Sequence, residues 1–316
     1  MGRYFLRRII QSVPVLLLIT IITFAIVHLL PGDPALAYLG EAAAKDQVAY
    51  EAVRLELGLD QPLPVQYGKW LGKVVQGDMG KSVRTREPVT TGLSIRLPVT
   101  LQLALMAILF AVVIAVPVGI LSAVRPGSKT DSIGTVFAIS GVAVPHFWLG
   151  IILIYVFALW LRWLPASGYK SPTENLGANL QYMLLPALTL GAGQAAVIMR
   201  QVRSSLIEVL RNEYVRTARA KGLRERMVVQ RHALKNAFIP VITIIGMQVG
   251  RLFGGAVVVE SIFALPGLGR LAIDSIMFRD FAMLQGAILI LAVAVVVLNL
   301  LTDVLYAYLD PRIKYA

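Results

Sequence analysis

Of 316 residues, 57% are hydrophobic and 15% charged, yet the formal net charge is +12. A soluble domain of this size has no use for so many long apolar runs, so the composition reads as a polytopic membrane protein, and its Lys/Arg excess, which sits in loops, reflects the membrane and not nucleic acid. Cysteine is absent, which excludes disulfides, thiolate metal sites and thiol catalysis.

Arg3, Arg7 and Arg8 precede an apolar run from Ile9 to Leu30, long enough to cross a hydrocarbon core of about 30 Å. Ala35-Leu36-Ala37 resembles a signal-peptide cleavage site, but the run is too long for a signal core. The expectation is a retained first span, residues 1–30, with a cytosolic N-terminus. Residues 31–98 are polar and punctuated, and are expected to form an extracytoplasmic subdomain with a helix over Asp46 to Leu57 that Gly58 ends. This insertion is a cap over the bundle, a landing surface for a solute-binding protein, or both. Gly80-Lys81-Ser82 imitates the tail of a phosphate-binding loop, but Val75 stands where the first glycine is needed and no buried strand precedes it. The motif is discarded.

Further apolar runs cover Val99 to Val124, Ile133 to Leu161, Leu180 to Met199, Ile239 to Val259 and Met283 to Leu305. With the first run they give six spans. Loops placed on the cytosolic side hold Arg3, Arg7, Arg8, Arg125, Lys129, ten basic residues from Arg200 to Lys235, Arg312 and Lys314. The short outer loops hold only Arg162, Lys170, Arg270 and Arg279, so the positive-inside rule puts both termini in the cytosol. Residues 99–310 are then a five-helix core and 311–316 a cytosolic tail. Pro117-Val118-Gly119, Gly141 to Pro145 and Gly191 to Gly193 interrupt spans, as suits tight packing in a bundle that changes shape.

Chemistry is sparse. No hydrolytic constellation is visible, and His28, His146 and His232 share no helical spacing, so neither catalysis nor a metal site is expected. Glu260 and Asp303 fall at span ends, which speaks against a proton-coupled secondary carrier. Arg251 is the exception, twelve residues beyond Ile239 and thus roughly 18 Å into its span. An arginine at that depth is expected to face inward, either neutralising a partner acid or lining a pathway that attracts an anionic group such as a peptide carboxylate.

The basic island 200–238 organises the chain. Ile207, Leu210, Tyr214 and Ala218 recur at helical steps, Gly222 suits a helix end with positive φ, and Leu223, Met227, Leu234 and Phe238 form a second stripe. Two short helices broken at a glycine are therefore expected. By charge alone such a loop only fixes topology and touches anionic lipid. Its order says more. Arg216-Thr217-Ala218 followed by Gly222 resembles the "EAA" loop of ABC importer permeases. Glu213 to Leu223, with Arg231-His232-Ala233-Leu234-Lys235-Asn236 and Ile239-Pro240, is similar to the dipeptide, oligopeptide, glutathione and nickel branch. Pro240 lies 18 residues beyond Gly222, a longer spacing than the general motif and one that resembles the peptide branch. Leu29-Leu30-Pro31-Gly32-Asp33-Pro34, Leu57-Gly58-Leu59-Asp60, Gln76-Gly77-Asp78, Gly254-Gly255 through Val259-Glu260, Pro266 to Arg270 and Asp303-Val304-Leu305-Tyr306 extend the likeness to the first permease subunit of such importers.

The resemblance implies an all-α type I importer permease, non-catalytic, in a prokaryotic cytoplasmic (inner) membrane. It would pair with a second six-span permease, two cytosolic ATPases that bind ATP and Mg, and a solute-binding protein. Glu213, Tyr214, Arg216, Thr217, Ala218, Arg219, Ala220, Lys221, Gly222 and Leu223 would form the coupling loop. Thr217, Ala218 and Ala220 would allow close seating on an ATPase, while Arg216, Arg219 and Lys221 would pair with its acids. The substrate would be a small peptide, with a nickel complex or another small solute as the alternative.

Overall fold

The computed structural model describes residues 2–29, 33–39, 46–56 and 58–309. Leu30, Pro31, Gly32, Leu57 and the expected tail 311–316, with Arg312 and Lys314, lie outside the described residues. Among those described, every regular element is helical apart from an isolated bridge between Lys81 and Pro88. The helices are α1 (Gly2–Leu29), α2 (Pro34–Leu39), α3 (Gln47–Glu56), α4 (Leu63–Val75), α5 (Val89–Val124), α6 (Lys129–Ala143), α7 (His146–Leu153), α8 (Leu176–Leu210), α9 (Glu213–Ala220), α10 (Glu225–Met227), α11 (Leu234–Ile262), α12 (Leu268–Met277) and α13 (Phe281–Leu309). Two π-helical stretches, Ile154–Trp160 and Val228–Ala233, continue α7 and precede α11.

The expected all-helical, membrane-spanning class holds. Five stretches are long and apolar enough to cross a membrane: Leu6–Leu29, Val89–Val124, Leu176–Leu210, Glu225–Ile262 and Phe281–Val304. The sixth is a broken pair. Where one run from Ile133 to Leu161 was expected, α6 and the helix from His146 to Trp160 meet at 109°. Pro145 explains the break, because a residue before proline is driven out of the helical region, and Val144 sits at φ −81°, ψ 121°.

The chain forms two compact units, and α1, α5 and α13 each contribute to both. The first comprises residues 6–100 and 266–296. Within it α4 lies on α1 through aromatic contacts. Phe24 meets Tyr67 edge-on at 5.6 Å and Trp70 at 5.8 Å, and Thr20 Oγ1 is 2.8 Å from the Tyr67 hydroxyl. Asp46 caps α3 by accepting from the amides of Val48 and Ala49, and Gly58 follows at φ +69°, as expected. Tyr50 donates to Asp33 at 2.6 Å, a bond that raises the phenol's pKa. Val89, Leu93, Leu268, Leu271, Met283 and Ala287 form the apolar core. Polar ends inside it are satisfied. Thr100 Oγ1 accepts from Leu268 N at the start of α12, and buried Ser82 donates to Asp280, which caps α13 at Met283 N. Ser82 thus belongs to a packing network, in keeping with the rejected phosphate-loop reading.

The second unit holds residues 2–5, 101–265 and 297–309. Its axis is α8, which packs against α6, α7 and α11 and buries Met183, Leu190, Ile198, Met199 and Leu206. Small residues bring backbones close. A Cβ on Gly191 would stand 2.6 Å from Ala107 O, and one on Gly141 would stand 2.8 Å from Ala196 Cβ. Ala111, Ala115, Ala195, Ala196 and Val241 fill the seam between them. At one end Gln102, buried Asn179, Tyr169 and the Lys170 carbonyl share hydrogen bonds. At the other, Arg203 on α8 grips buried Asp131 through two bonds of 2.6 and 2.8 Å.

Candidate functional site

Two places in the second unit carry the residues singled out by sequence. The first is the basic elbow. The single helix expected before Gly222 is in fact two, because α8 ends at Leu210 and α9 starts only at Glu213, with Asn212 extended at φ −69°, ψ 148°. That break resets the helical phase. Tyr214, expected on the apolar stripe, is 41% exposed, while Val215 takes the buried position beside Ala218. Both pack against Val209, Leu210, Leu223 and Val228. Ala218 therefore faces its own chain.

Gly222 has φ +76° and terminates the turn after α9, as its spacing predicts. Beyond it the second stripe shifts. Met227 is exposed and Val228 and Val229 are buried, because the π-helical turn Val228–Ala233 carries one extra residue and rotates the apolar face by one position. Pro240, singled out for its spacing from Gly222, lies inside α11.

The charges divide by direction. Arg219 spans the elbow, donating to Glu225 at 2.7 and 3.1 Å and to the Leu210 carbonyl at 3.3 Å; the first contact raises its pKa. It is a clamp within the chain and not a free cation. Arg216 pairs with Glu213 at 2.7 Å across a solvated face, an arrangement worth little and readily exchanged for a better partner. Thr217 donates to Glu213 O, and Asn236 Nδ2 donates to the Tyr214 hydroxyl at 2.8 Å, tying α9 to α11. Glu213, Tyr214, Arg216, Thr217, Ala220, Lys221 and Gly222 remain exposed, with Leu223 half-buried. The sequence reading missed the roles of Glu225 and of the Arg203–Asp131 pair. Neither pair has helical spacing across a single element, so only the tertiary path joins them.

The second place surrounds Arg251, on the rim of a cavity of about 410 Å³ between α6, α7, α8 and α11. Among the described residues no carboxylate pairs with Arg251. Instead Nη1 donates to Gln248 Oε1 at 3.2 Å, and Gln248 donates in turn to Gln194. Both glutamines are buried. His146 opens α7 at the helix break, its Nδ1 3.3 Å from Thr189 O, and Gly141, Pro145 and Gly193 complete the wall. An exposed guanidinium thus stands over a polar wall, held by a glutamine relay. Such a site can orient an anionic or amide group. Gln194 went unremarked in the sequence and His146 was noted only for lacking helical spacing with the other histidines, because each is a lone polar residue within an apolar run. Their common position depends on the Pro145 bend.

A six-span helical membrane protein with an exposed basic elbow and a polar cavity is the class these features define. Residues 115–315 match the family described as binding-protein-dependent transport system inner membrane component, and residues 1–104 match its N-terminal companion. A glutathione transport system permease protein of Pectobacterium atrosepticum is 42% identical over 315 residues, all of both chains. A putative peptide permease of Brucella ovis is 44% identical over 317 residues, and a dipeptide transport system permease of Alkalihalophilus pseudofirmus 40% over 332, each covering 99% of both chains. In fold the chain is similar to an inward-facing structure of the MetNI methionine ABC transporter, with TM-score 0.56, 18% identity and coverage of 69% of this chain and 95% of that one. The chain belongs to the family of inner membrane components of binding-protein-dependent transport systems, as a permease subunit of an ABC importer.

Proposed function

We propose that this chain forms half of the pathway of an ATP-driven importer of short peptides, glutathione included, in a prokaryotic cytoplasmic membrane. Its end-to-end similarity to permeases named for glutathione, dipeptides and peptides carries the reading. The other half is a second six-span permease. A solute-binding protein delivers substrate to the outer face, where residues 31–98 form the landing surface and cap. Two cytosolic ATPases bind ATP and Mg; this chain supplies no catalysis.

Residues 200–238 are the coupling loop, and α9 is its docking element. Its outward set is Glu213, Tyr214, Arg216, Thr217, Ala220 and Lys221. Val215 and Ala218 lock the helix to its own bundle, and the Arg219–Glu225 clamp makes the Gly222 elbow a stiff lever. A push on α9 therefore reaches α8 and α11 directly. Arg251, with Gln248 and Gln194 behind it, lines the pathway and attracts the substrate carboxylate.

The test is affinity purification of the chain from its own membrane in mild detergent, with mass spectrometry of the companions. A second permease and two P-loop ATPases are expected, and Arg216→Glu with Lys221→Glu should lose the ATPases while keeping the permease partner. Proteoliposomes of the complex should then take up labelled dipeptides or glutathione. Recovery of the chain alone under conditions that preserve a known complex of this type sinks the coupling assignment; uptake of a nickel complex and not of peptides sinks the substrate.

A further inference from the structure

A groove of about 730 Å³ lies beside the elbow, between the C-terminal end of α5 and the stretch from Glu225 to Leu234. Its walls are apolar: Leu121 and Val124 on one side, Val229 and Leu234 on the other. Leu121 is 57% exposed, so the wall runs on into the outward face of a membrane-crossing helix. The polar end is basic. Arg125 and Arg226 line it, both exposed and neither with a partner among the described residues. Glu225 is there too, but both its oxygens are taken by Arg219 at 2.7 and 3.1 Å, so it leaves the two guanidiniums uncompensated.

An occupant must match both halves of this groove. A soluble anion satisfies only the rim, and a neutral acyl chain only the walls. The rim also sits at the C-terminal end of α5, where the apolar span Val89–Val124 gives way to Arg125, and basic side chains at the end of a span attract anionic headgroups. We propose that the groove holds one anionic phospholipid, its phosphate between Arg125 and Arg226 and an acyl chain along Leu121 and Leu234. The π-helical turn Val228–Ala233 contributes Val229 and Gln230 to the same groove, so the bound lipid braces the joint between the elbow and α11.

The chain lacks cysteine, so Gln230→Cys carrying a bimane label reports from inside the groove. The full transporter, with any partner cysteines replaced by serine, is placed in nanodiscs of phosphatidylcholine containing rising fractions of dibrominated phosphatidylglycerol or dibrominated phosphatidylcholine. Phosphatidylglycerol should quench at about one thirtieth the mole fraction its neutral counterpart needs, the scale of two basic side chains at a headgroup. Arg125→Gln with Arg226→Gln should erase that preference while the complex still purifies intact. Leu121→Phe keeps both charges but fills the groove, and should weaken quenching by both lipids. Glycerol 3-phosphate in solution should change nothing. Equal quenching by both lipids in the labelled parent overturns the proposal, as does a preference that survives the double Arg replacement. So does the absence of any quenching, which means protein covers the groove, or displacement by glycerol 3-phosphate, which assigns the rim to a free phosphate.

Discussion

Gly222 has φ +76°, and a Cβ built there meets nothing within 4 Å. The cost of replacing it is thus purely conformational, about 1–2 kcal/mol for a residue with a Cβ held in the left-handed region. Gly222→Ala is expected to lower substrate uptake per ATP hydrolysed in proteoliposomes, because a strained elbow relaxes toward other turns, while Gly222→Asn, which tolerates that region, should restore most of the coupling. Equal loss in both variants would mean that the side chain itself blocks a partner surface. This position was legible in the sequence because a helix end with positive φ is a local demand. The neighbouring cations were not. Arg216 and Arg219 lie on one helix three residues apart, yet one faces solvent with Glu213 and the other grips Glu225 across the turn. Only the fold of the elbow decides which is available to a partner.

The helices show the same division at larger scale. Apolar runs located the spans because hydropathy over about twenty residues answers to the bilayer alone. What happens within and beyond a run depends on neighbours: α8 continues to Leu210, Pro145 turns one span through 109°, and π-helical turns shift the faces after Leu153 and Met227. The glycines in the spans, alike in sequence, separate in structure. A Cβ on Gly191 would stand 2.6 Å from the Ala107 carbonyl, where backbone cannot yield, whereas one on Gly254 has open space around it. Gly191→Val should therefore destabilise the purified complex by about 1–3 kcal/mol, as overpacking does, and Gly254→Ala should leave its melting temperature unchanged. A fluorescence melting curve separates the two. Equal behaviour would remove the close crossing of α5 and α8 from the account of this unit.

For the whole molecule, the question is what Arg251, exposed midway along an apolar helix and with no carboxylate partner among the described residues, does there. Arg251 was visible in the sequence as a charge at depth, but the glutamine relay behind it came only from the fold. A cation kept in a membrane span for structure alone should be neutralised close by, since an unpaired charge facing lipid is costly. Here the described neighbours are two amides and an imidazole, which fix the side chain without cancelling its charge. That arrangement suits a transient anionic partner, released once it has moved on. The comparison that isolates this role uses saturating amounts of loaded solute-binding protein, so that delivery is not what differs. Under those conditions a peptide with a free C-terminal carboxylate should be transported faster than its amidated form, and Arg251→Ala should shrink the difference about tenfold, the scale of one hydrogen bond to a charged group. Arg251→Lys should retain part of it, because the charge stays and the fork geometry goes. An unchanged ratio in Arg251→Ala would return this arginine to a packing role and leave the cavity without an anchor for the solute.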